Sequence, residues 1–324
     1  MQISSVIKNF VDVMLREGVF RGSIIYGRIL RWLLFKRFTG SEFVSRSING
    51  CKMYLSLREP GISEILNHYG DREPEHVHIL EHVLDEGMCV LDIGGNIGYY
   101  TLMMASKVGE GGKVYAVEPV PANFRILEKN VRANQFDGRV ELAQVAISNA
   151  NGIVRIDLSN RSNLHTLHSG RSVIMDGLLE LSGESIEVET LDLPSFLKGR
   201  RLPGLLRMDV EGHEVEILSS LLICARIMDW YPDVLFEVHA DYYDRESHDI
   251  GVPLDGLFSL GYKAVMVASN QCPAEEFDKR GLLSEERVRI KDITRCIYHD
   301  VDELMLLEII RVPRQARCVL LRRC

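Results

Sequence analysis

The sequence predicts an α/β protein built on a doubly wound, mostly parallel sheet. Three observations carry that reading: from Cys89 onward short β-branched runs alternate with helical stretches, a glycine cluster follows the first run, and acidic residues close successive runs. Strand and helix alternating at this spacing indicate right-handed βαβ units. In such a sheet ligands bind beyond the carboxyl ends of the strands, where strand order reverses.

The elements follow in chain order. Residues 1–40 read as helical, with apolar and basic residues mixed, up to the turn signal Thr39-Gly40-Ser41. An alternating piece around Met53-Tyr54-Leu55 leads to a turn at Pro60-Gly61, a helix from Ser63 and a second helix over 74–84. His76, His78 and His82 fall in that second helix without a nearby cysteine set and read as ordinary helix residues. The alternating region then gives strands over 90–93, 112–117 and 140–147, a β-extension over 154–158, and strands over 205–210, 234–238 and 262–267. Helices are expected over 99–107, 121–134 and 254–260. Residues 1–45 are expected to form a basic, mainly helical extension and 46–324 one domain, with its ligand-binding core over about 86–270.

Composition narrows the function classes. The 324 residues are 46% hydrophobic, which supplies a large core and excludes a disordered chain. A net charge of -8 gives no global footprint for nucleic acid, and none is expected as a partner. Residues 1–60 nevertheless carry ten Lys or Arg against four Asp or Glu, so the two parts of the chain face different partners. Seven scattered cysteines, never spaced as CxxC, argue against both a disulfide framework and a zinc site and fit a reducing, cytoplasmic location. The apolar stretch over 18–38 is broken by Arg21, Arg28, Arg31, Lys36 and Arg37, too charged to span a membrane. With Trp32 and Phe35 among its basic residues, it suits peripheral contact with an anionic membrane surface.

The first strand exit carries the chemistry. It reads Val90 to Thr101, VLDIGGNIGYYT, with Asp92 ending the strand and Gly94, Gly95 and Gly98 in the turn. A dinucleotide fingerprint needs glycine two and five positions after Gly94, where Asn96 and Tyr99 stand; a P-loop needs Gly-Lys-Ser/Thr, where Gly98-Tyr99-Tyr100 stands. Both fail. Asp92 at the loop mouth would repel a pyrophosphate but suit a ligand bearing an ammonium and a sulfonium, as S-adenosylmethionine does. The second strand ends at Glu118-Pro119, 24 residues after Gly94, where a carboxylate can accept hydrogen bonds from ribose hydroxyls.

With those residues in view, the chain resembles the FkbM family of S-adenosylmethionine-dependent methyltransferases. The likeness rests on Gly70-Asp71-Arg72-Glu73-Pro74, on VLDIGGNIGYYTL from Val90, on Glu118-Pro119, on Thr190-Leu191-Asp192, and on LRMDVEGHE from Leu206 to Glu214. It covers residues 50–270 approximately, and Gly95 stands where the family usually has Ala. The resemblance implies a class I, Rossmann-like methyltransferase domain. It also implies methyl transfer, commonly onto hydroxyls of sugars, glycolipids or secondary metabolites. The expected cofactor contacts are Asp92, Gly94, Gly95, Asn96, Gly98, Tyr100, Thr101, Glu118, Pro119, Ala146 and Asp209.

A second cluster leaves strands four and five. Asp209, Glu211, His213 and Glu214 follow the fourth, and Glu237 and His239 end the fifth. The expected catalytic residues are Asp209, His239, His213 and Glu237. An imidazole would remove the acceptor's proton, His239 being favoured over His213, while Glu237 or Asp209 stabilises the imidazolium. Glu211 reads alternatively as a helix N-terminal residue. Asn163 and His165, in a polar loop, are candidates for the acceptor site, with surface loop the stronger reading. No metal is assigned. Two rivals stand beside this reading: a metal-assisted O-methyltransferase with a divalent cation on Asp209, Glu211 or Glu237, and a non-catalytic cofactor-binding module.

Overall fold

The computed structural model describes residues 11–324 apart from 12, 16, 59–60, 160–180, 273, 285 and 291–292. Asn163 and His165 lie outside the described residues. Helix α1 (Val19–Phe38) precedes a hairpin of β1 (Phe43–Ile48) and β2 (Cys51–Ser56), then α2 (Ile62–His68) and α3 (Pro74–Val83). The hairpin turns at Asn49-Gly50, both with positive φ, a two-residue signal that the sequence reading passed over.

The alternating region begins with β3 (Cys89–Ile93), α4 (Tyr99–Lys107), β4 (Lys113–Val117), α5 (Pro121–Ala133) and β5 (Val140–Ala143). Next come β6 (Ala146–Ser148), β7 (Gly152–Ser159), β8 (Leu181–Asp192), α6 (Leu193–Leu197), β9 (Leu205–Met208), α7 (Glu214–Met228) and β10 (Asp233–Glu237). The chain ends with α8 (Gly251–Ser259), β11 (Tyr262–Ser269), α9 (Glu275–Lys279), β12 (Glu286–Ile290), β13 (Ile293–Val301), α10 (Glu303–Ile310) and β14 (Ala316–Arg323).

Among the described residues, nine strands form one sheet in the order β12-β13-β11-β14-β10-β9-β3-β4-β5. The five from β10 to β5 are mutually parallel, and β14 enters antiparallel between β10 and β11. From β3 the chain winds outward to β4 and β5, then returns to start again at β9 on the other side. The reversal therefore lies between β3 and β9. All five residues of β3 and all four of β9 are buried, as strands covered on both faces require. Alternation sends Leu91 and Ile93 into one core and Val90 into the other.

Two expectations change here. The strand expected over 140–147 is broken: β5 pairs with β4 only as far as Val117 opposite Ala143, where β4 ends, and β6 pairs instead with β8 in a separate three-stranded sheet. The sheet also draws in β12, β13 and β14, which the sequence reading did not register. In β14 the apolar run Cys318–Leu321 is short and flanked by arginines, and it is buried because β10 and β11 lie on either side of it.

Helix α1 packs one side on α2. Trp32 is buried edge-on against His68 at 5.9 Å, Arg28 donates to the His68 carbonyl at 3.3 Å, and Arg21 pairs with Asp71. Phe20, Leu34 and Phe38 remain exposed. Among the described residues no helix is long and apolar enough to cross a membrane.

Candidate active site

The glycine loop between β3 and α4 is shaped by its own hydrogen bonds. Gly94 and Gly95 N–H both donate to the Val117 carbonyl, Asn96 N–H to Glu118, Ile97 N–H to the Asn96 side chain and Gly98 N–H to the Gly95 carbonyl. All five donors have protein partners, so the loop offers no phosphate cradle. Gly94, at φ 81, lies so close to β9's exit that a Cβ would come within 2.1 Å of the Asp209 carbonyl oxygen. Gly98, expected to meet the ligand, faces away from the cavity: a Cβ there would meet Leu127 of α5 at 2.9 Å. Asn130 of α5, fully buried, buttresses the loop by donating to the Ile97 carbonyl and exchanging hydrogen bonds with Tyr54 of the hairpin.

Glu118 closes β4 and is buried. Its two oxygens accept from Asn96 N–H and Val120 N–H, both at 2.9 Å, and the carboxylate also accepts from the Asn123 side chain, which leaves one of its four lone pairs for a ligand. Burial pushes its carboxyl up to about 7 against the pull of those three donors.

Parallel register sets Asp92 of β3 directly beside Arg207 of β9. Arg207 is 1% exposed. Its guanidinium reaches Asp92 at 3.2 Å and Asp209 at 3.0 Å, and lies 4.2 Å over the Tyr100 ring. The second Asp92 oxygen accepts from Thr101 at 2.6 Å. Asp92 therefore sits beneath the loop, not at its mouth, with both oxygens committed. Burial holds its carboxyl above the usual range despite Arg207, whereas in Asp209 burial, though the largest single effect, is overcome by Arg207, His239 and Arg72 together and the carboxyl falls below that range.

Beyond the loop lies an open-mouthed cavity of about 920 Å³. Its wall takes Gly94, Gly95 and Asn96 from the loop, Glu118 and Pro119 from the second strand exit, and Tyr100 from α4. Ala146 and Ile147 of β6 close one side, and Asp209, Glu211 and His213 the far end. Of the expected cofactor contacts, Asp92, Gly98 and Thr101 do not line it; they hold the loop from below. Arg72 does line it, which sequence reasoning missed although the GDREP stretch was in view. Beside it Glu73, at the left-handed φ of 49, is held by Arg72, Tyr100 and Arg317.

The acidic cluster is deeper than expected. Glu211 is not in the first turn of α7; that helix begins at Glu214, and Glu211 precedes it with φ 49. His213 caps the helix on the cavity wall, with Nε2 2.9 Å from Ser148 Oγ and Nδ1 3.3 Å from Glu216. His239 stands behind that wall. Its Nδ1 lies 2.7 Å from Glu214, and its Nε2 is 3.5 Å from Glu211, 3.6 Å from Glu237 and 3.8 Å from Asp209. Those carboxylates outweigh burial and hold the imidazole proton, raising His239 well above its ordinary value. Glu237 is 2.5 Å from Arg317 of β14 and does not reach the cavity.

A parallel sheet wound both ways from β3 and β9, closed by an inserted antiparallel strand and bearing an acidic second-strand exit, defines a class: S-adenosylmethionine-dependent methyltransferases of Rossmann-like architecture. Within it, the model of the methyltransferase FkbM domain matches residues 92–264, more than half of the chain, and the chain belongs to that family. It is 25% identical over 171 residues to the hexuronic acid methyltransferase AglP of Haloferax volcanii, covering 52% of this chain and 63% of that protein. It is 26% identical over 145 residues to a protein-L-isoaspartate O-methyltransferase of Caenorhabditis elegans, covering 43% and 63%. The chain thus spans somewhat under two thirds of the length of these relatives. Among solved structures it is similar to an FkbM methyltransferase of Methylobacillus flagellatus, at 14% identity and a TM-score of 0.32, covering 68% of this chain and 52% of that one. It is also similar to an O-methyltransferase of Thermotoga maritima, at 14% identity and 0.39, covering 90% and 81%.

The Gly94 geometry predicts a sharp contrast in stability. Gly94→Ala meets backbone that cannot give way, in a conformation costly for alanine, and should lose about 2 kcal/mol or more. Gly152→Ala, whose Cβ meets nothing nearer than 3.7 Å, should be within about 0.5 kcal/mol of the parent. Urea denaturation of both variants checks this; equal midpoints would contradict the close approach of loop and β9.

Proposed function

We propose that the chain transfers the methyl group of S-adenosylmethionine to a hydroxyl oxygen of a sugar, glycolipid or secondary metabolite, and that residues 46–324 form the catalytic unit. The observation that carries this is the cavity itself, with a buried ribose-ready carboxylate, Glu118, at one end and the carboxylates of Asp209 and Glu211 at the other. The residues fit the cofactor: Glu118 keeps an acceptor lone pair, the loop has no free N–H set that would select a phosphate, and Tyr100 and Ile147 add apolar walls. The match to a hexuronic acid methyltransferase supports a sugar hydroxyl as the acceptor.

When bound, the cofactor supplies an electrophilic methyl whose C–S bond breaks, the electron pair staying on sulfur, as the C–O bond forms. The chain's share is to hold the acceptor oxygen in line and to take its proton. His239 is poorly suited to that task, since four carboxylates already keep its proton in place. Glu211 is better suited: burial and its acidic neighbours push it up to about 7, so near neutral pH it can accept a proton. A second reading, cation-assisted transfer, is favoured by one observation. Asp209, Glu211 and His239 each offer a ligand atom within 4.8 Å of the others, a set rich enough in oxygen for Mg²⁺ or Mn²⁺. Turnover that survives chelation removes it.

Binding and turnover should separate. Glu118→Ala should weaken calorimetric binding of S-adenosylhomocysteine by about ten- to hundredfold. In the parent chain, affinity should be full above pH 7 and fall as Glu118 protonates below it. Glu211→Gln should keep that affinity yet slow single turnover by about 10²-fold or more on an accepted hydroxyl compound. A Glu118→Ala change under twofold would remove Glu118 from the cofactor site, and a normal rate in Glu211→Gln would remove the base.

The outer face of α1 we assign to an anionic membrane surface. The helix holds no acidic residue, Arg31 and Arg37 are exposed on it, and Phe20, Leu34 and Phe38 are exposed beside them. Cosedimentation of the full chain with phosphatidylserine vesicles should fall at least fivefold when all three apolar residues are replaced by glutamine. Equal sedimentation of the two proteins would reject this surface.

A further inference from the structure

We propose that His78, His82 and Glu286 form a zinc-type metal site that fastens the outer hairpin of the sheet to α3. It lies outside the cavity and does not depend on the methyl-transfer reading. His78 and His82 are one turn apart on α3, so both rings leave the same face, with centroids 4.2 Å apart. Glu286 opens β12, the edge strand, which pairs with β13 and packs on α3. One ligand atom from each of the three residues lies within 4.8 Å of the others.

Two details point to an ion beyond a chance meeting of polar groups. His82 Nδ1 is 2.8 Å from the His78 carbonyl oxygen. A carbonyl only accepts, so Nδ1 carries the proton and the Nε2 lone pair is free, the arrangement in which metal-binding imidazoles are held. His78 Nε2 lies 2.8 Å from a Glu286 oxygen, yet it is buried and makes no hydrogen bond. Donor atoms that close but off the hydrogen-bond axis resemble neighbours in one coordination sphere. Zinc bonds of about 2.0–2.2 Å set tetrahedral ligands roughly 3.3 Å apart. The other Glu286 oxygen is 3.1 Å from His299 Nε2 on β13, which orients the carboxylate. Two imidazoles and one carboxylate select Zn²⁺ over Mg²⁺ or Ca²⁺.

The placement gives the ion a structural task. An edge strand is held on one side only, and a bond from Glu286 to α3 would secure the other. Calorimetric titration of Zn²⁺ into the full chain, untagged and stripped with chelator, should saturate at one ion per chain and raise the melting temperature. Co²⁺ should give the intense visible absorption of a tetrahedral site. Affinity should fall at least tenfold in the double variant His78→Ala, His82→Ala and in Glu286→Gln, a near-isosteric change that keeps the fold, while Glu211→Gln binds as the parent does. Lack of saturable binding in the parent overturns the site. So does unchanged affinity in both the histidine and Glu286 variants, or loss in Glu211→Gln alone.

Discussion

Everything at the centre of this molecule is arranged around one buried guanidinium. Arg207 is drawn to Asp92 by strand register and to Asp209 by its own strand, and its face is covered by Tyr100. Breaking a pair of this kind typically costs about 3–5 kcal/mol, because the partners stay buried without a counter-charge. The bridge therefore fixes three pieces at once: the end of β3, the exit of β9 and the first turn of α4. The glycine loop lies against the Asp209 carbonyl within that frame.

The same constraint spreads outward. Asp92, Glu73, Glu75, Asp209, Glu211, Glu214 and Glu237 converge on the sheet's carboxyl edge, countered at close range by Arg72, Arg207, Arg317 and Arg295. Carboxylates outnumber guanidinium groups, and the imbalance is met by protons: His239 keeps its own, and burial moves Glu237 well above and Glu211 to about 7. The proposed role of Glu211 as a base near neutral pH rests on that surplus. β14 is essential to the arrangement, since Arg317 comes from it and ties Glu237 of β10 to Glu73 at the start of α3.

The doubly wound sheet and its ligand edge were legible because strand exits can be located from alternation alone. That logic placed Gly94, Glu118 and Asp209 at strand ends that now surround one cavity. It could not locate residues whose surroundings depend on register. Asp92 read as a mouth residue because its partner, Arg207, stands 115 positions later and meets it only across the β3–β9 pairing. Gly98 read as a ligand contact because the packing of α5 beneath the loop has no local signal. One sequence likewise cannot show four carboxylates from two strand exits gathering on the single ring of His239. Asn130, linking hairpin, loop and helix, sits in an ordinary amphipathic pattern and gives no sign of its bridging role.

The proposed cofactor site lies at the reversal between β3 and β9. Backbone hydrogen exchange of the full chain, with and without saturating S-adenosylhomocysteine, tests it most directly. Bound ligand should slow exchange over 94–98, 118–123 and 209–213, with little change on β12 and β13. Protection confined to other segments, or exchange unaltered at saturation, would contradict it.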